Sequence, residues 1–145
     1  MKKCSDVMTG NPACCLPGDT VLKAALLMKT GNVGSIPVVE NEQTRKLVGI
    51  VTDRDLALKI LAERRDPAAT SVHAVMTSPV VTCRADEDLQ IALDAMATHQ
   101  LRRIPVVNTE QGVVGIIAQA DVATRADQPE KTAEVVKQIS QASPK

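Results

Sequence analysis

Leu47-Val48-Gly49-Ile50-Val51-Thr52-Asp53-Arg54-Asp55 decides the fold. Its near-continuous apolar run reads as a strand suited to burial on both faces. Thr52 to Asp55 reads as the point where that strand becomes a helix. Sixty-six residues further on, Val114-Gly115-Ile116 repeats the strand and Asp121 repeats Asp55. Upstream the pairing continues at an offset of sixty-eight. Ile36-Pro37-Val38-Val39 matches Ile104-Pro105-Val106-Val107, and Val7-Met8-Thr9 matches Val75-Met76-Thr77. Cys15, Ala24 and Met28 likewise match Cys83, Ala92 and Met96. The two lost residues fall in the turn between neighbouring strands. Coincidences ordered along the chain in this way mark a duplicated unit.

Each copy reads as strand, helix, strand, strand, helix. In the first, Cys14 to Leu16 is a short extended segment stopped by Pro17-Gly18. A helix capped by Asp19 or Thr20 runs through Lys29, with Val21, Ala24, Ala25 and Met28 on one face and Gly31 placed to end it. Ser35 to Val39 is a strand, and Pro37 within it favours an edge or a strand start. Leu47 to Thr52 is the next strand, and Asp53 to Leu61 a helix. The second copy repeats this over Val80–Cys83, Asp88–Thr98, Ile104–Val107, Val113–Ile117 and a helix from Gln119. One copy has too little core to stand comfortably alone. The expected fold is therefore α/β (α+β), two βαββα repeats packed through their sheets with pseudo-two-fold symmetry. The expected division is 1–65 for the first repeat with its N-terminal segment, 66–72 for a linker, 73–127 for the second repeat and 128–145 for a tail. In the tail Thr132, Val135, Val136 and Ile139 recur at helical spacing. That pattern predicts a short amphipathic helix that docks on its own module, completes a dimer interface or presents a partner-binding face.

Composition narrows the function. The 145 residues include no Phe, Tyr or Trp, which removes the aromatic platforms used for single-stranded nucleic acid and the cages used for methylated amines. Basic and acidic residues balance at 17 each, against the basic excess of a general nucleic-acid binder. No apolar run is long enough to cross a bilayer, and none follows Met1-Lys2-Lys3-Cys4 as a leader would. The expectation is a reduced, cytoplasmic protein with ordinary thiols at Cys4, Cys14, Cys15 and Cys83. Cys14 and Cys15 are adjacent and lack C-x-x-C spacing. His73 and His99 stand alone, without metal-site spacing. No P-loop, dinucleotide fingerprint or nucleophile motif occurs. No catalytic residue and no metal ligand is expected.

Three places carry chemistry. Thr52 and Asp55 fit a capping box, and the same carboxylate offers two acceptors to the vicinal hydroxyls of a ribose. Both roles can hold at once. Asp121 lacks that reciprocal box because Ala118 stands in the cap position, so the acid survives beside a lost cap. Arg102 and Arg103 precede Ile104-Pro105; they are either solvated charge at a strand entrance or a phosphate fork. Gly34 and Ser35 hold the matching places in the first copy, so the copies are unequal.

The set Asp6-Val7-Met8-Thr9, Gly34 to Val39, Leu47 to Asp55, Val75-Met76-Thr77, Leu101 to Val107 and Val114 to Asp121 resembles a tandem cystathionine-beta-synthase (CBS) domain pair, the Bateman module, of the stand-alone bacterial type. The resemblance implies a non-catalytic regulatory module. Adenosine-containing ligands (AMP, ADP, ATP or S-adenosylmethionine) would bind in clefts between repeats, with no required cofactor. It also implies a homodimer and an unidentified regulated protein, with no membrane and no nucleic acid as partner. Carried onto this chain, Asp55 and Asp121 take the ribose, Thr52 contacts sugar or phosphate, and Arg102 or Arg103 takes the phosphate. Ile36, Pro37, Ile104 and Pro105 border the base, with Thr9, Cys14, Thr77 and Val80 in the base-contacting segments. Ala118 departs from the family's Thr or Ser. That departure favours the alternative, a ligand-free structural or protein-interaction module with a degenerate nucleotide site.

Overall fold

The computed structural model describes residues 2–125 and residue 139. The described chain divides into two compact units. One is contiguous, Pro12–Val80; the other is split, joining residues through Asn11 to those from Val81 onward. The division does not follow the repeats as read along the chain. The segment expected with the first repeat packs with the second, and Val72 to Val80 pack with the first.

In chain order the elements are α1 (Cys4–Val7), β1 (Thr9–Gly10), α2 (Val21–Gly31), β2 (Ser35–Val39), β3 (Leu47–Thr52), α3 (Asp53–Leu56), β4 (Cys83–Arg84), α4 (Leu89–His99), β5 (Arg103–Val107), β6 (Val113–Ala118) and α5 (Gln119–Arg125). The split unit is a four-stranded sheet in the order β1-β6-β5-β4, antiparallel except for β4 against β5. The contiguous unit has the same plan with shorter flanks. There β2 and β3 pair antiparallel, Cys15 bridges Val38 in parallel and Thr77 bridges Ile50 antiparallel. Thr9 and Thr77, and Cys83 and Cys15, thus occupy equivalent places.

Local chemistry explains the elements. Thr20 caps α2, accepting from the Lys23 N–H at 3.2 Å. The next free donors of that helix, the N–H groups of Val21 and Leu22, bond to the carbonyls of Thr70 (2.9 Å) and Pro67 (3.1 Å). Residues expected to be a linker are thereby tied to the α2 N-terminus. Gly31 is the last helical residue and Asn32, at φ 52°, takes the left-handed cap. In the other copy Asp88 caps α4 and Gln100 takes the left-handed position at φ 55°.

Pro37 lies in β2, an edge strand of the two-stranded sheet β2-β3, as its fixed φ and missing N–H lead one to expect. Its carbonyl accepts from the Cys15 N–H at 3.0 Å, so its missing N–H faces that same side, where pairing consists of a single bridge. The helix expected over Asp53 to Leu61 is one α-helical turn that widens into a π-helical turn at Ala57–Leu61. The continuous apolar run of β3 is fully buried only at Gly49 and Val51, with the alternate positions half-buried.

Each unit has its own aliphatic core. Val21, Ile36, Val38, Val51, Val72 and Val75 lead the contiguous one. Val7, Leu93, Met96, Ile104, Val106 and Ile117 lead the split one. The helix read into the tail lies outside the described residues except for Ile139, which is buried in the split unit's core.

Candidate ligand site

Strand β3 delivers its last residue straight into α3. Thr52 Oγ1 accepts from the Asp55 N–H at 3.1 Å, and Asp55 Oδ2 accepts from the Thr52 N–H at 2.9 Å, a complete capping box. The other Asp55 oxygen is engaged too. Lys59, one turn on, sets its ammonium 3.0 Å from Oδ1 and donates to the Val75 carbonyl at 2.9 Å. Asp55 is buried, and two bonds hold it in place.

Strand β6 delivers Ala118 into α5 in the same way, with half of the box. Asp121 Oδ2 accepts from the Ala118 N–H at 2.8 Å. The hydroxyl missing at Ala118 has no return partner, but another arrives from β1. Thr9 Oγ1 donates to Asp121 Oδ1 at 3.1 Å. Asp121 is half-buried where Asp55 is buried.

The strand opposite differs between the copies in a matched way. Ser35 pairs with Thr52 across β2 and β3, while Arg103 pairs with Ala118 across β5 and β6. Two small polar residues are exchanged for one long cation beside one methyl. Neither the Arg102 nor the Arg103 guanidinium has a hydrogen-bond or ion-pair partner among the described residues. In both copies the residue before the strand braces the helix start: the Gly34 carbonyl accepts from Asp53, the Arg102 carbonyl from Gln119, each at 2.9 Å.

The residues singled out in the sequence sort between the units. Thr9, Arg102, Arg103, Ile104, Pro105 and Asp121 belong to the split unit. Cys14, Ile36, Pro37, Thr52, Asp55, Thr77 and Val80 belong to the contiguous one. Ile36 and Ile104 are 1% and 0% exposed and sit in the two cores, so their side chains offer no surface to a base in this structure. Pro37 and Pro105 are buried beside them. Thr9 and Thr77 are exposed; Cys14 and Val80 are half-buried. Burial pushes the Cys14 thiol up, against the opposing pull of Arg45. Arg45 donates to the Pro12 carbonyl at 2.7 Å and to Cys14 Sγ at 3.0 Å.

Lys59 and Arg45 were not among the expected site residues. Lys59 was readable, four positions after Asp55 on one helical face. Arg45 was not, because its bond depends on a loop residue held at φ 54°. Among the described residues no group of three His, Cys, Asp or Glu side chains could hold a metal ion, and no helix is long and apolar enough to cross a membrane.

A duplicated βαββα unit, with an acid at each strand-to-helix junction, is the build of a regulatory module. The CBS domain model matches residues 4–62 and 72–127, and the chain belongs to the CBS domain family, whose domain pairs are non-catalytic. It is 39% identical over 140 residues to the CBS domain-containing protein YhcV of Bacillus subtilis, covering 97% of this chain and 96% of that protein. The solved CBS domain pair of protein MJ0100, in complex with 5-methylthioadenosine and S-adenosyl-L-methionine, superimposes with a TM-score of 0.74 at 27% identity, over 85% of this chain and 94% of that one. Hypoxic Response Protein I, solved with two coordinated zinc ions, gives a TM-score of 0.74 at 30% identity over 84% and 97% of the two chains.

Proposed function

We propose that the chain is a regulatory module for an adenosine-containing small molecule, anchored at its ribose by Asp121, with Arg103 or Arg102 bearing on its charged end. The observation that carries this is the Thr9 hydroxyl on Asp121 Oδ1. That bond is the kind a ribose hydroxyl makes, on a half-buried acid, and a sugar can take the place of Thr9. The MJ0100 pair with its two adenosyl ligands supports the ligand class. Thr52 and Asp55 form the second acceptor, less open because Asp55 is buried where Asp121 is half-buried. Base contacts then fall to backbone groups, since Ile104 and Pro105 are buried. The working form is a cytoplasmic homodimer, supported by the exposed Leu22 and Leu26 of α2 and the exposed Leu58 and Leu61.

Calorimetric titration of AMP, ADP, ATP and S-adenosylmethionine tests the reading. A hydrogen bond to a charged group is worth about 1.5–3 kcal/mol, so Asp121→Ala should weaken binding by roughly 10- to 100-fold. Asp55→Ala should weaken it less. Absence of binding by all four up to millimolar concentration overturns the proposal. That result would favour a ligand-free interaction module, for which the filled coordination of Asp55 and the missing hydroxyl at Ala118 already speak.

A further inference from the structure

Ser35 is the one polar residue of β2, a strand buried along its whole length. It is 3% exposed. Its hydroxyl has no hydrogen-bond partner among the described residues, yet it is not sealed from solvent, so the surface Ser35 keeps includes its Oγ. A hydroxyl buried to that degree without a partner is costly, and an alanine would fill the same space. Ser35 lies directly opposite Thr52. Residues opposed across an antiparallel ladder share one face, with Cβ atoms about 4.5–5.5 Å apart. Thr52 Oγ1 accepts from the Asp55 N–H, and its own proton has no acceptor among the described residues. Two hydroxyl donors thus stand side by side at the strand end where Asp55 is held.

The charges beside them are matched. The Lys59 ammonium lies 3.0 Å from Asp55 Oδ1 and is tied to the Val75 carbonyl at 2.9 Å. Asp53 and Arg54, exposed on the first turn of α3, are of opposite sign. The split unit differs at the equivalent place. There Arg103 lies opposite Ala118, half-buried, and its guanidinium has no hydrogen-bond or ion-pair partner among the described residues. A guanidinium fork matches phosphate oxygens. A phosphate set against two hydroxyls beside a carboxylate instead loses hydration and gains no counter-charge, whereas an uncharged sugar end loses little.

We infer that the two copies select different ligands of one class: the Ser35, Thr52 and Asp55 site takes an uncharged nucleoside, and the Arg103 and Asp121 site takes a nucleoside phosphate. Ser35 and Arg103 are the specificity-determining residues. The Ser35 and Thr52 hydroxyls donate to uncharged oxygens of the sugar. Asp55 accepts the diol on the lone pairs that Lys59 and the Thr52 N–H leave open, since a carboxylate has about four. This assignment rests on the ribose-site reading above and adds what each site selects.

Adenosine and AMP differ only in the 5′ phosphate, so calorimetric titration of the full chain with each reads the selection. Arg103→Ser, copying Ser35, should weaken AMP by roughly 10- to 100-fold, the worth of a hydrogen bond to a charged group, and leave adenosine unchanged. Ser35→Ala should weaken adenosine by about 3- to 10-fold, the worth of a neutral hydrogen bond, and leave AMP unchanged. Ser35→Arg should raise the AMP bound per chain from one to two. An unchanged urea midpoint shows that each variant is folded, and Ser35→Ala, which removes a single oxygen, serves where Ser35→Arg does not fold. Equal losses of both ligands in Arg103→Ser, unchanged adenosine affinity in Ser35→Ala, or two AMP per unmodified chain overturns the assignment and leaves the ribose sites standing. Binding of neither ligand by any of these proteins overturns the ribose-site reading and the assignment with it.

Discussion

Gly115→Ala tests how the N-terminal segment is seated. Met8 lies over Gly115 of β6, and a Cβ there would stand 2.8 Å from Met8 Cγ and 3.0 Å from Met8 Cβ, with the sulfur closer still. The sulfur end of a methionine can swing away, but its Cβ moves only with the backbone, which is tied by the Met8 N–H to the Cys4 carbonyl at 3.0 Å. Overpacking of this kind costs ~1–3 kcal/mol, and replacing a strand glycine returns ~0.5–1 kcal/mol. The expected net loss is about 1–2 kcal/mol, or roughly 4–8 °C in melting temperature. Met8→Gly removes the obstacle, its Cβ included. In that background Gly115→Ala should be neutral or slightly stabilising, a coupling of about 1.5 kcal/mol, well above the ~0.5 kcal/mol scatter of independent sites. Urea unfolding of the four proteins gives the cycle directly. An equal cost of Gly115→Ala in both backgrounds, or no cost in either, refutes the reasoning. Gly49→Ala is the internal comparison. Its Cβ would stand 3.0 Å from Met76 Cγ and 3.3 Å from Met76 Cβ, so its penalty should be the smaller of the two.

Ala118→Thr supplies the missing cap hydroxyl and should stabilise by about 1 kcal/mol, read as a higher urea midpoint; no gain would mean that Arg103 across the ladder occupies that space. Lys59→Met removes the ammonium from Asp55 and from the Val75 carbonyl and should cost about 1 kcal/mol, with the difference from the unmodified chain shrinking in high salt; a cost independent of salt would assign the effect to the lost bond to the Val75 carbonyl and not to the ion pair. Burial pushes the Cys15 thiol from 9.0 up to about 12. The unfolded chain therefore loses that proton first, and stability should be full below pH 9 and fall as pH rises toward 12. Cys15→Ala should flatten that decline in urea unfolding at pH 8, 9.5 and 10.5, and an unchanged slope would contradict it.

The strands and helices were legible because each is written locally. Ile36 to Val39 and Leu47 to Thr52 carry their apolar pattern in five or six residues, and Thr20 and Asp88 announce their helices by capping. The partners of Thr9 and Thr77 were not legible. Each forms a two-residue or single-bridge pairing, and the equivalent strands β3 and β6 offer nearly the same surface, so nothing local chooses between them. The two acids could be located from their spacing, yet their unequal burial is set by the surrounding chain and not by the motif. The docking of α1 lies beyond any spacing rule: its Cys4 N–H donates to the Glu87 carbonyl, more than eighty residues away.

The division into a contiguous and a split unit sets an order of assembly during synthesis. Everything the Pro12–Val80 unit needs has left the ribosome once residue 80 is clear. Thr9, by contrast, waits for Ile116, one hundred and seven residues later. At bacterial and eukaryotic elongation rates that is roughly 5–20 s during which Val7 and Met8 have no strand to cover them. The first repeat to be translated is thus also the first able to close, and the earliest residues of the chain are among the last to find their place.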